Sequence, residues 1–273
     1  MINLGILQTV SADFLIKIAK EKRALIEQKK AYYANFKKNL TLPKANHRYE
    51  LFKKAISKPG QINLIAEVKK ASPSVGLIRE DFNALSIAKT YAANGAAALS
   101  ILTEDKYFLG RFWYLKQLTE EVPLPALMKD FVIHEYQIYE GYYYGASAVL
   151  LIVAMLSDAQ LKDLTQVAYG LGLDCLVEVH DEAEIDRAIN AKAEIIGVNN
   201  RDLRSLKVDV NNCLRMIPRI PRDCIIVAES GLKTHEDILN VRKAGAHAVL
   251  IGETFMRANN IGAKLKEVMY GQD

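Results

Sequence analysis

Residues 64–74 of the chain read Leu64-Ile65-Ala66-Glu67-Val68-Lys69-Lys70-Ala71-Ser72-Pro73-Ser74. The stretch begins as an apolar strand, becomes charged at its end and stops in a Ser-Pro-Ser loop. Because side chains alternate between the two faces of a strand, Ile65, Glu67 and Lys69 share one face. Ionised groups on an inner face need a partner or a chemical role. This strand therefore predicts either an internal ion pair or a functional site.

The rest of the chain repeats this design. Eight apolar, strand-like runs alternate with helical patterns, and they cover residues 62–69, 97–102, 124–129, 147–153, 173–179, 194–199, 224–229 and 247–252. Alternation of this kind predicts a parallel sheet with helices outside it, and eight units predict that the sheet closes. The fold class is therefore α/β, a (β/α)8 TIM barrel with an N-terminal helical extension. We expect residues 1–60 to form the extension and residues 61–273 the barrel, within one structural domain.

The first 60 residues are basic, with 13 Lys and Arg against 4 Asp and Glu; this segment carries +9 and the remainder −5 of the net +4. Such a segment is either a nucleic-acid surface or a solvated amphipathic helix. Residues 11–38 place apolar side chains at helical spacing with lysines between them. No interleaving of aromatic and basic residues accompanies them. We therefore predict a helix on the barrel, followed by a short helix at residues 48–56, and no nucleic-acid partner.

Cysteine spacing and hydropathy indicate the cellular setting. Cys175, Cys213 and Cys224 show no CxxC spacing, which favours reduced, buried thiols. The N-terminus lacks the pattern of a secretory signal, and the longest apolar run, residues 148–156, is too short to span a bilayer. We expect a cytoplasmic protein without a membrane partner.

Ionisable and amide side chains gather at the predicted carboxyl ends of the strands, where barrels of this kind carry their chemistry. They are two lysines, three glutamates and an asparagine: Glu67, Lys69, Lys129, Glu178, Asn199 and Glu229. Acids and bases that converge on one mouth indicate general acid–base catalysis. The five histidines are scattered without metal-ligand spacing, so we predict no metal. Among them, His180 is interpreted as a loop or capping residue.

The last two strands end in Ser230-Gly231 and Gly252-Glu253. In barrels the loops at this place, together with the helix N-terminus that follows, often hold a phosphate on backbone N–H groups. A glycine there lets an oxyanion approach the backbone. The pattern predicts an anionic substrate with its phosphate at this end and the acid–base groups at the other.

The residues alone leave the reaction open. A lysine with a lowered pKa forms a Schiff base, as in an aldolase that acts on a phosphosugar, whereas a charged lysine acts as a general acid. A barrel that only binds a phosphorylated ligand is a further alternative, although a binder does not need opposed acids and bases. Phe108 and Phe131 are interpreted either as core residues or as the wall of a pocket.

The ordered set of strand-end motifs resembles the indole-3-glycerol phosphate synthase family of tryptophan biosynthesis. The resemblance covers residues 60–269, and the motifs that carry it are residues 65–74, 100–108, 128–131, 148–153, 178–182, 197–203 and 228–231. It implies ring closure, decarboxylation and dehydration of 1-(2-carboxyphenylamino)-1-deoxyribulose 5-phosphate. The implied partner is this phosphorylated small molecule. We expect no cofactor, and a monomer or weak homodimer.

The resemblance also implies roles for individual residues. Lys129 matches the general acid of ring closure, Glu178 the acid–base group of dehydration, and Lys69 a second lysine that contacts the substrate. Glu67 matches a carboxylate that sets the charge of the lysines, and Asn199 and Glu229 complete the polar ring. The positions that match the anthranilate pocket or its carboxylate end are Ser72, Pro73, Phe108, Phe131, Leu150, Arg201 and Leu250. Those that match the phosphate end are Ser230, Gly231, Gly252 and Glu253.

Two positions depart from expectation. Glu253 stands where some members carry serine, and a carboxylate repels a phosphate, so we expect its backbone N–H to bind and its side chain to turn away. Gly141 lies inside a predicted helix, where glycine costs about 1 kcal/mol relative to alanine.

Overall fold

The computed structural model describes residues 13–40, 50–202 and 207–272. Within these residues, eight parallel strands close into a barrel: β1 (Asn63–Val68), β2 (Ala98–Leu102), β3 (Ala126–Lys129), β4 (Ala148–Ile152), β5 (Asp174–Val179), β6 (Ile195–Asn199), β7 (Ile225–Glu229) and β8 (Ala248–Ile251). Each strand pairs with its neighbours in the chain, and β1 closes the ring by pairing with both β2 and β8. The predicted TIM barrel is confirmed, and every predicted run overlaps a strand.

Helices precede the barrel and surround it. They are α1 (Asp13–Gln28), α2 (Lys30–Asn39), α3 (Leu51–Ile56), α4 (Ala84–Ala93), α5 (Phe112–Glu121), α6 (Glu135–Tyr143), α7 (Asp158–Gly170), α8 (Glu182–Asn190), α9 (Asn211–Met216), α10 (His235–Ala244), α11 (Glu253–Met256) and α12 (Ile261–Tyr270). Short 3₁₀ turns at Val153–Met155 and Ile217–Arg219 complete the set in the described ranges. None of these helices is long and apolar enough to cross a membrane.

The alternation predicted for β1 is confirmed by the core. Ile65 packs inside the barrel against apolar side chains of other strands, among them Leu127 and Leu176. Leu64 and Val68 face outward and pack beneath the surrounding helices. Glu67 therefore points into the barrel above Ile65, at the carboxyl end of the strand.

The N-terminal segment differs from the single helix that we expected over residues 11–38. It forms α1 and α2, which are separated at Lys29, where φ is −95° and ψ is 8°. The short helix α3 starts at Leu51, and residues 48 and 49 of the predicted helix lie outside the described residues. The division into an extension at 1–60 and a barrel at 61–273 stays a prediction.

A buried ion pair attaches α1 to the barrel mouth. The Lys22 ammonium lies 2.6 Å from the Asp130 carboxylate, and the two side chains are 13% and 3% exposed. Asp130 also accepts hydrogen bonds from the Thr103 hydroxyl at 2.7 Å and from the Phe131 backbone N–H at 2.7 Å. Since Asp130 directly follows Lys129, this pair fixes the backbone beside a predicted catalytic residue.

We expect Lys22→Met to lower the free energy of unfolding by about 3 kcal/mol, because it leaves a buried carboxylate without its counter-charge. Chemical denaturation of the variant measures the change. The matched control is Lys20→Met on the same helix, where the lysine is exposed and the effect should stay within about 0.5 kcal/mol. Equal stability of the two variants contradicts the assigned anchoring role.

Gly141 is explained by how closely α6 packs on β3. A Cβ at this position lies 2.7 Å from the Met128 sulfur and 3.3 Å from its terminal methyl. The helix thus gives up the stabilising effect of a side chain in order to approach the strand. The tyrosines near Gly141 pack against α2. The ring centroids of Tyr33 and Tyr136 stack at 5.0 Å, and those of Phe36 and Tyr143 lie edge-on at 5.2 Å.

Candidate active site

A cavity of about 900 Å³ opens at the carboxyl ends of the strands. Fifteen of the seventeen predicted site residues line it: Glu67, Lys69, Phe108, Lys129, Phe131, Leu150, Glu178, Asn199, Arg201, Glu229, Ser230, Gly231, Leu250, Gly252 and Glu253. The other two, Ser72 and Pro73, do not line it. Ser72 is buried in a small hairpin, where it pairs with Gly76, and Pro73 lies in the adjoining turn. Their assignment to the substrate pocket stays a prediction.

Lys129 lies at the centre of the polar groups. Its ammonium donates to Glu178 Oε2 at 2.9 Å and to Glu229 Oε2 at 3.2 Å. The second oxygen of Glu178 accepts a hydrogen bond from the Asn199 amide at 2.9 Å. Strands β3, β5, β6 and β7 thus each contribute one side chain to a connected polar cluster.

Burial and neighbouring charges give Lys129, Glu178 and Glu229 different pKa values. Burial alone lowers the pKa of Lys129, but the carboxylates of Glu178 and Glu229 outweigh it and hold this pKa well above its ordinary value. Burial alone raises the pKa of Glu178, yet Lys129 and His180 bring it well below the usual range. Burial raises the pKa of Glu229 to about 7, against the opposing effect of Lys129. The cluster therefore holds a charged lysine, an ionised carboxylate and a carboxyl group that titrates near neutral pH.

Gly197 on β6 makes room for Glu229. A Cβ at Gly197 would collide with Glu229 Oε1 and would lie 3.1 Å from a methyl of Leu176. This oxygen is buried and has no hydrogen-bond partner among the described residues. The missing side chain thus forms a niche for one oxygen of Glu229, while the other oxygen faces Lys129.

We expect Gly197→Ala to lower kcat by about 10²-fold, because the Cβ displaces the Glu229 carboxyl group and misplacement of a reacting group by about 1 Å costs that much. Steady-state kinetics measures the loss. Gly170→Ala is the matched control, since a Cβ at Gly170 meets no atom within 4 Å. Normal turnover of Gly197→Ala would show that Glu229 does not need this position.

Glu67 and Lys69 form a second pair at the end of β1. The Lys69 ammonium lies 2.5 Å from Glu67 Oε1, and the side chains are 15% and 5% exposed. Gly252 faces this pair, since a Cβ there would collide with Glu67 Oε1 and lie 2.9 Å from Glu67 Cβ. The glycine therefore admits the Glu67 side chain, a role that the motif at the end of β8 did not reveal.

The loop after β7 turns sharply. Ser230 and Gly231 have φ values of 68° and 79°, in the left-handed region that serine rarely adopts. The lack of a side chain at Gly231 also lets Val208 and Val210 pack against the loop. Turns of this kind present backbone N–H groups to anions.

The Glu253 carboxylate is balanced by two guanidinium groups. Its Oε1 accepts a hydrogen bond from Arg257 at 2.9 Å, and its Oε2 lies 3.7 Å from Arg201. Glu253 is the first residue of α11, and the side chain is 32% exposed at the cavity wall. The negative charge that it brings to this end is thus largely neutralised by the protein.

Apolar side chains form the opposite wall. The rings of Phe108 and Phe131 lie 6.0 Å apart, and Leu150 and Leu250 extend the wall. Phe14 of α1 meets the ring of Phe131 edge-on at 6.4 Å. Both aromatic rings line the cavity, and Phe131 also packs in the core, so the two interpretations of this residue hold together.

His180 lies in the loop between β5 and α8, as expected of a loop or capping residue, and its ring contacts the site. Its Nε2 lies 3.3 Å from Glu178 Oε1, and its Nδ1 lies 3.3 Å from Glu184 Oε2. Asp181 provides the cap of α8 instead, by accepting from the Glu184 backbone N–H. The signal in the sequence was the spacing of two residues between Glu178 in β5 and His180 just after the strand, which lets both side chains point to the same side.

Comparison with known proteins decides the family. The sequence profile of the family described as Indole-3-glycerol phosphate synthase matches residues 15–268. The chain belongs to this family. It is 47% identical over 255 residues to the indole-3-glycerol phosphate synthase of Ruminiclostridium cellulolyticum, which covers 93% of this chain and 98% of that protein. It is 52% identical over 213 residues to the synthase of Acetivibrio thermocellus, with 78% and 82% covered.

Solved structures support the fold of the synthase. A crystal structure of 3-hexulose-6-phosphate synthase gives a TM-score of 0.62 at 16% identity, covering 76% of this chain and 98% of that one. A mutant tryptophan synthase α-subunit from Pyrococcus furiosus gives 0.59 at 13% identity, with 76% and 97% covered. The activity follows from family membership: the synthase is a carboxy-lyase of tryptophan biosynthesis that closes the indole ring with loss of carbon dioxide.

Proposed function

We propose that Lys129 is the general acid of ring closure in the indole-3-glycerol phosphate synthase reaction. The observation that carries the proposal is the position of its ammonium group between Glu178 and Glu229, at 2.9 and 3.2 Å, in the cavity at the barrel mouth. Ring closure develops negative charge on the ketone oxygen of the substrate, and a fixed cation that also delivers a proton stabilises that charge.

The steps balance with these groups. The anthranilate ring carbon that bears the carboxylate attacks the ketone carbon, and the ketone oxygen takes a proton from Lys129. The bond to the carboxylate then breaks, carbon dioxide leaves, and its electron pair restores the aromatic ring. Dehydration follows, with Lys69 giving a proton to the departing hydroxyl and Glu178 taking one from the ring system. Dehydration adds one proton to the departing hydroxyl and removes one from the ring system, so these two cancel. Each turnover therefore consumes one proton, which the ketone oxygen takes up.

The electrostatics favour an acid over a Schiff-base nucleophile. A Schiff base needs a neutral amine, and enzymes obtain it by lowering the pKa of lysine. Here the carboxylates of Glu178 and Glu229 act in the opposite direction, since they raise the pKa of Lys129. Lys69 likewise has a carboxylate partner, since Glu67 Oε1 lies 2.5 Å from its ammonium group. Both lysines are therefore better suited to donate protons than to attack a carbonyl.

We propose one orientation for the substrate in the cavity. We assign its anthranilate ring to the wall of Phe108, Phe131 and Leu150, with Leu250 beside them, because an aromatic ring gains most from apolar contact. We assign its carboxylate to Arg201 and its phosphate to the backbone at Ser230–Gly231 and Gly252–Glu253. Asn199 holds Glu178 in place for the chemistry at the centre.

The direct test follows indole fluorescence when the purified protein is mixed with 1-(2-carboxyphenylamino)-1-deoxyribulose 5-phosphate. Signal from the wild type together with none from Lys129→Ala supports the assigned acid. Equal signal from both proteins moves that role to Lys69. Borohydride added with substrate tests the aldolase alternative, because reduction traps a Schiff base and leaves a general acid unmodified.

We also propose a cytoplasmic protein that acts as a monomer or weak homodimer and binds no nucleic acid. The three cysteines, all within the described residues, are buried and free, as in reducing compartments. Light scattering of the eluted protein tests the oligomeric state, and its binding to DNA at low salt tests the last point.

A further inference from the structure

The phosphate end of the cavity carries a guanidinium group that the sequence motifs did not single out. Arg257 directly follows α11, and its side chain lines the substrate cavity together with that of Glu253. Its Nε donates to Glu253 Oε1 at 2.9 Å across one helical turn. This ion pair therefore belongs to the wall that the proposed function assigns to the substrate phosphate.

The contact with Glu253 uses only one edge of the guanidinium group. Within residues 13–40, 50–202 and 207–272, Nη1 and Nη2 of Arg257 make no hydrogen bond. The Arg257 side chain is 51% exposed and lines the cavity, so a ligand can approach these two nitrogens. The two N–H groups at the end of an arginine match two oxygens of a phosphate. Arg257 thus presents an unoccupied edge of the kind that binds phosphate.

The phosphate end needs a positive group of this kind. A phosphate monoester carries about −1.5 to −2 charges near neutral pH. The helix α11 is only four residues long, so few peptide dipoles are aligned there to balance that charge. The Glu253 carboxylate alone would repel the phosphate. Together with the guanidinium groups of Arg257 and Arg201, however, Glu253 forms a group of three side chains with one net positive charge.

Two lysines line the same cavity, but neither is prepared in this way. The Lys264 ammonium lies 2.5 Å from Glu267 Oε1, so its charge is already paired. Lys233 is exposed, and no carboxylate of the described ranges orients its ammonium group. A free lysine side chain loses more conformational freedom on binding than a guanidinium that a hydrogen bond already holds. Arg257 is therefore the better candidate for a phosphate contact.

We propose that Arg257 binds the substrate phosphate through Nη1 and Nη2, and that Glu253 is the positioning residue that holds the guanidinium group by its Nε. This inference rests on the phosphate end assigned under the proposed function. It explains how a carboxylate can stand beside a phosphate: the side chain of Glu253 turns to Arg257 and orients a cation toward the ligand.

The test uses Arg257→Gln in the full-length protein. Two quantities are measured at constant ionic strength: the KM of the phosphorylated substrate, and the inhibition constant of inorganic phosphate as a competitor. We expect both to rise about tenfold, because the variant loses hydrogen bonds between two charged groups. The value of kcat should stay within about twofold, since the contact lies away from the reacting carbons and serves binding alone.

Variants of Glu253 separate a phosphate contact from simple neutralisation of the carboxylate. In the Glu253→Gln background there is no charge to neutralise, but the amide oxygen still accepts from Nε. Adding Arg257→Gln to it should again raise the inhibition constant about tenfold; loss of this effect overturns the phosphate contact. In the Glu253→Ala background nothing holds Nε, so the effect of Arg257→Gln should fall below about threefold. An undiminished effect there overturns the positioning role of Glu253.

Two further proteins complete the experiment. Lys264→Gln removes one positive charge from the same cavity and should change the inhibition constant by less than about twofold. A rise equal to that of Arg257→Gln would indicate a general effect of charge and overturn the proposal, as would wild-type constants in Arg257→Gln. Ser230→Asp is measured alongside. If it raises KM while Arg257→Gln does not, only this inference fails; if both leave KM unchanged, the assigned phosphate end is wrong as well.

Discussion

Lys129→Ala is expected to lower the rate of ring closure by about 10³-fold or more while the protein stays folded. The substitution removes both the proton donor and the cation that faces the ketone oxygen, and each of these contributions is worth about 10²-fold or more. The fold should survive because Glu229, whose pKa is already raised to about 7, takes up a proton when its cationic partner is gone. Single-turnover indole fluorescence measures the rate, and circular dichroism measures the fold.

Two controls separate charge from proton transfer. Lys129→Arg keeps a positive charge but does not give up its proton near neutral pH, so it should restore stability without restoring ring closure. Lys162→Ala changes an exposed lysine on α7 and should behave as wild type. If Lys129→Ala closes the ring at the normal rate, Lys129 is not the acid.

Ser230→Asp is expected to raise KM by between about 5-fold and about 10³-fold, with a smaller effect on kcat. A unit charge about 4 Å from another of the same sign costs from about 1 kcal/mol in water to about 4 kcal/mol near a protein surface, and about 1.4 kcal/mol corresponds to tenfold in binding. Steady-state kinetics at two salt concentrations measures the effect, which added salt should reduce.

The backbone conformation at Ser230 allows a control variant that differs from Ser230→Asp only in charge. Ser230 has a φ of 68°, and Asp and Asn are the residues other than glycine that tolerate this region best. Ser230→Asn is therefore the matched control, since it has the shape and backbone preference of aspartate without its charge. Equal KM values for the two variants contradict a phosphate beside Ser230.

The barrel and its mouth could be predicted because they depend on local pattern. Side chains alternate along β1, which places Glu67 above Ile65 inside the barrel. The polar residues at the ends of the other strands are then expected at the same mouth. The resemblance to the synthase added roles to residues that the pattern had already brought together. Which of these side chains point into the barrel mouth therefore follows almost entirely from their positions in the sequence.

Other features depend on the register between neighbouring strands and on which side chains come into contact. A single sequence does not show either of these. In the pairing of β6 with β7, Asn199 lies opposite Glu229, and Gly197 lies two residues before Asn199 on the same strand. This register brings the Glu229 carboxyl group against Gly197, where a side chain would collide with it. His180 was interpreted as a loop or capping residue and lies in a loop, but the sequence does not show that Asp181 is the cap or that the His180 ring contacts Glu178. Gly252 was assigned to the phosphate from its motif alone, whereas its contact with Glu67 comes from the pairing of β8 with β1.

The order in which the chain is synthesised bears on the contacts of α1 and α2. Their polar contacts with the barrel join residues that are far apart in sequence: Glu21 with Lys106, 85 positions apart, and Tyr33 with Glu140, 107 positions apart. At about 5–20 residues per second, the ribosome delivers these partners roughly 5–20 seconds after the helices. The two helices are therefore synthesised before their partners, and their contacts with Lys106 and Glu140 form only after those residues have been made. Assembly of the predicted active site at the barrel mouth is thus tied to a late event in the life of a nascent chain.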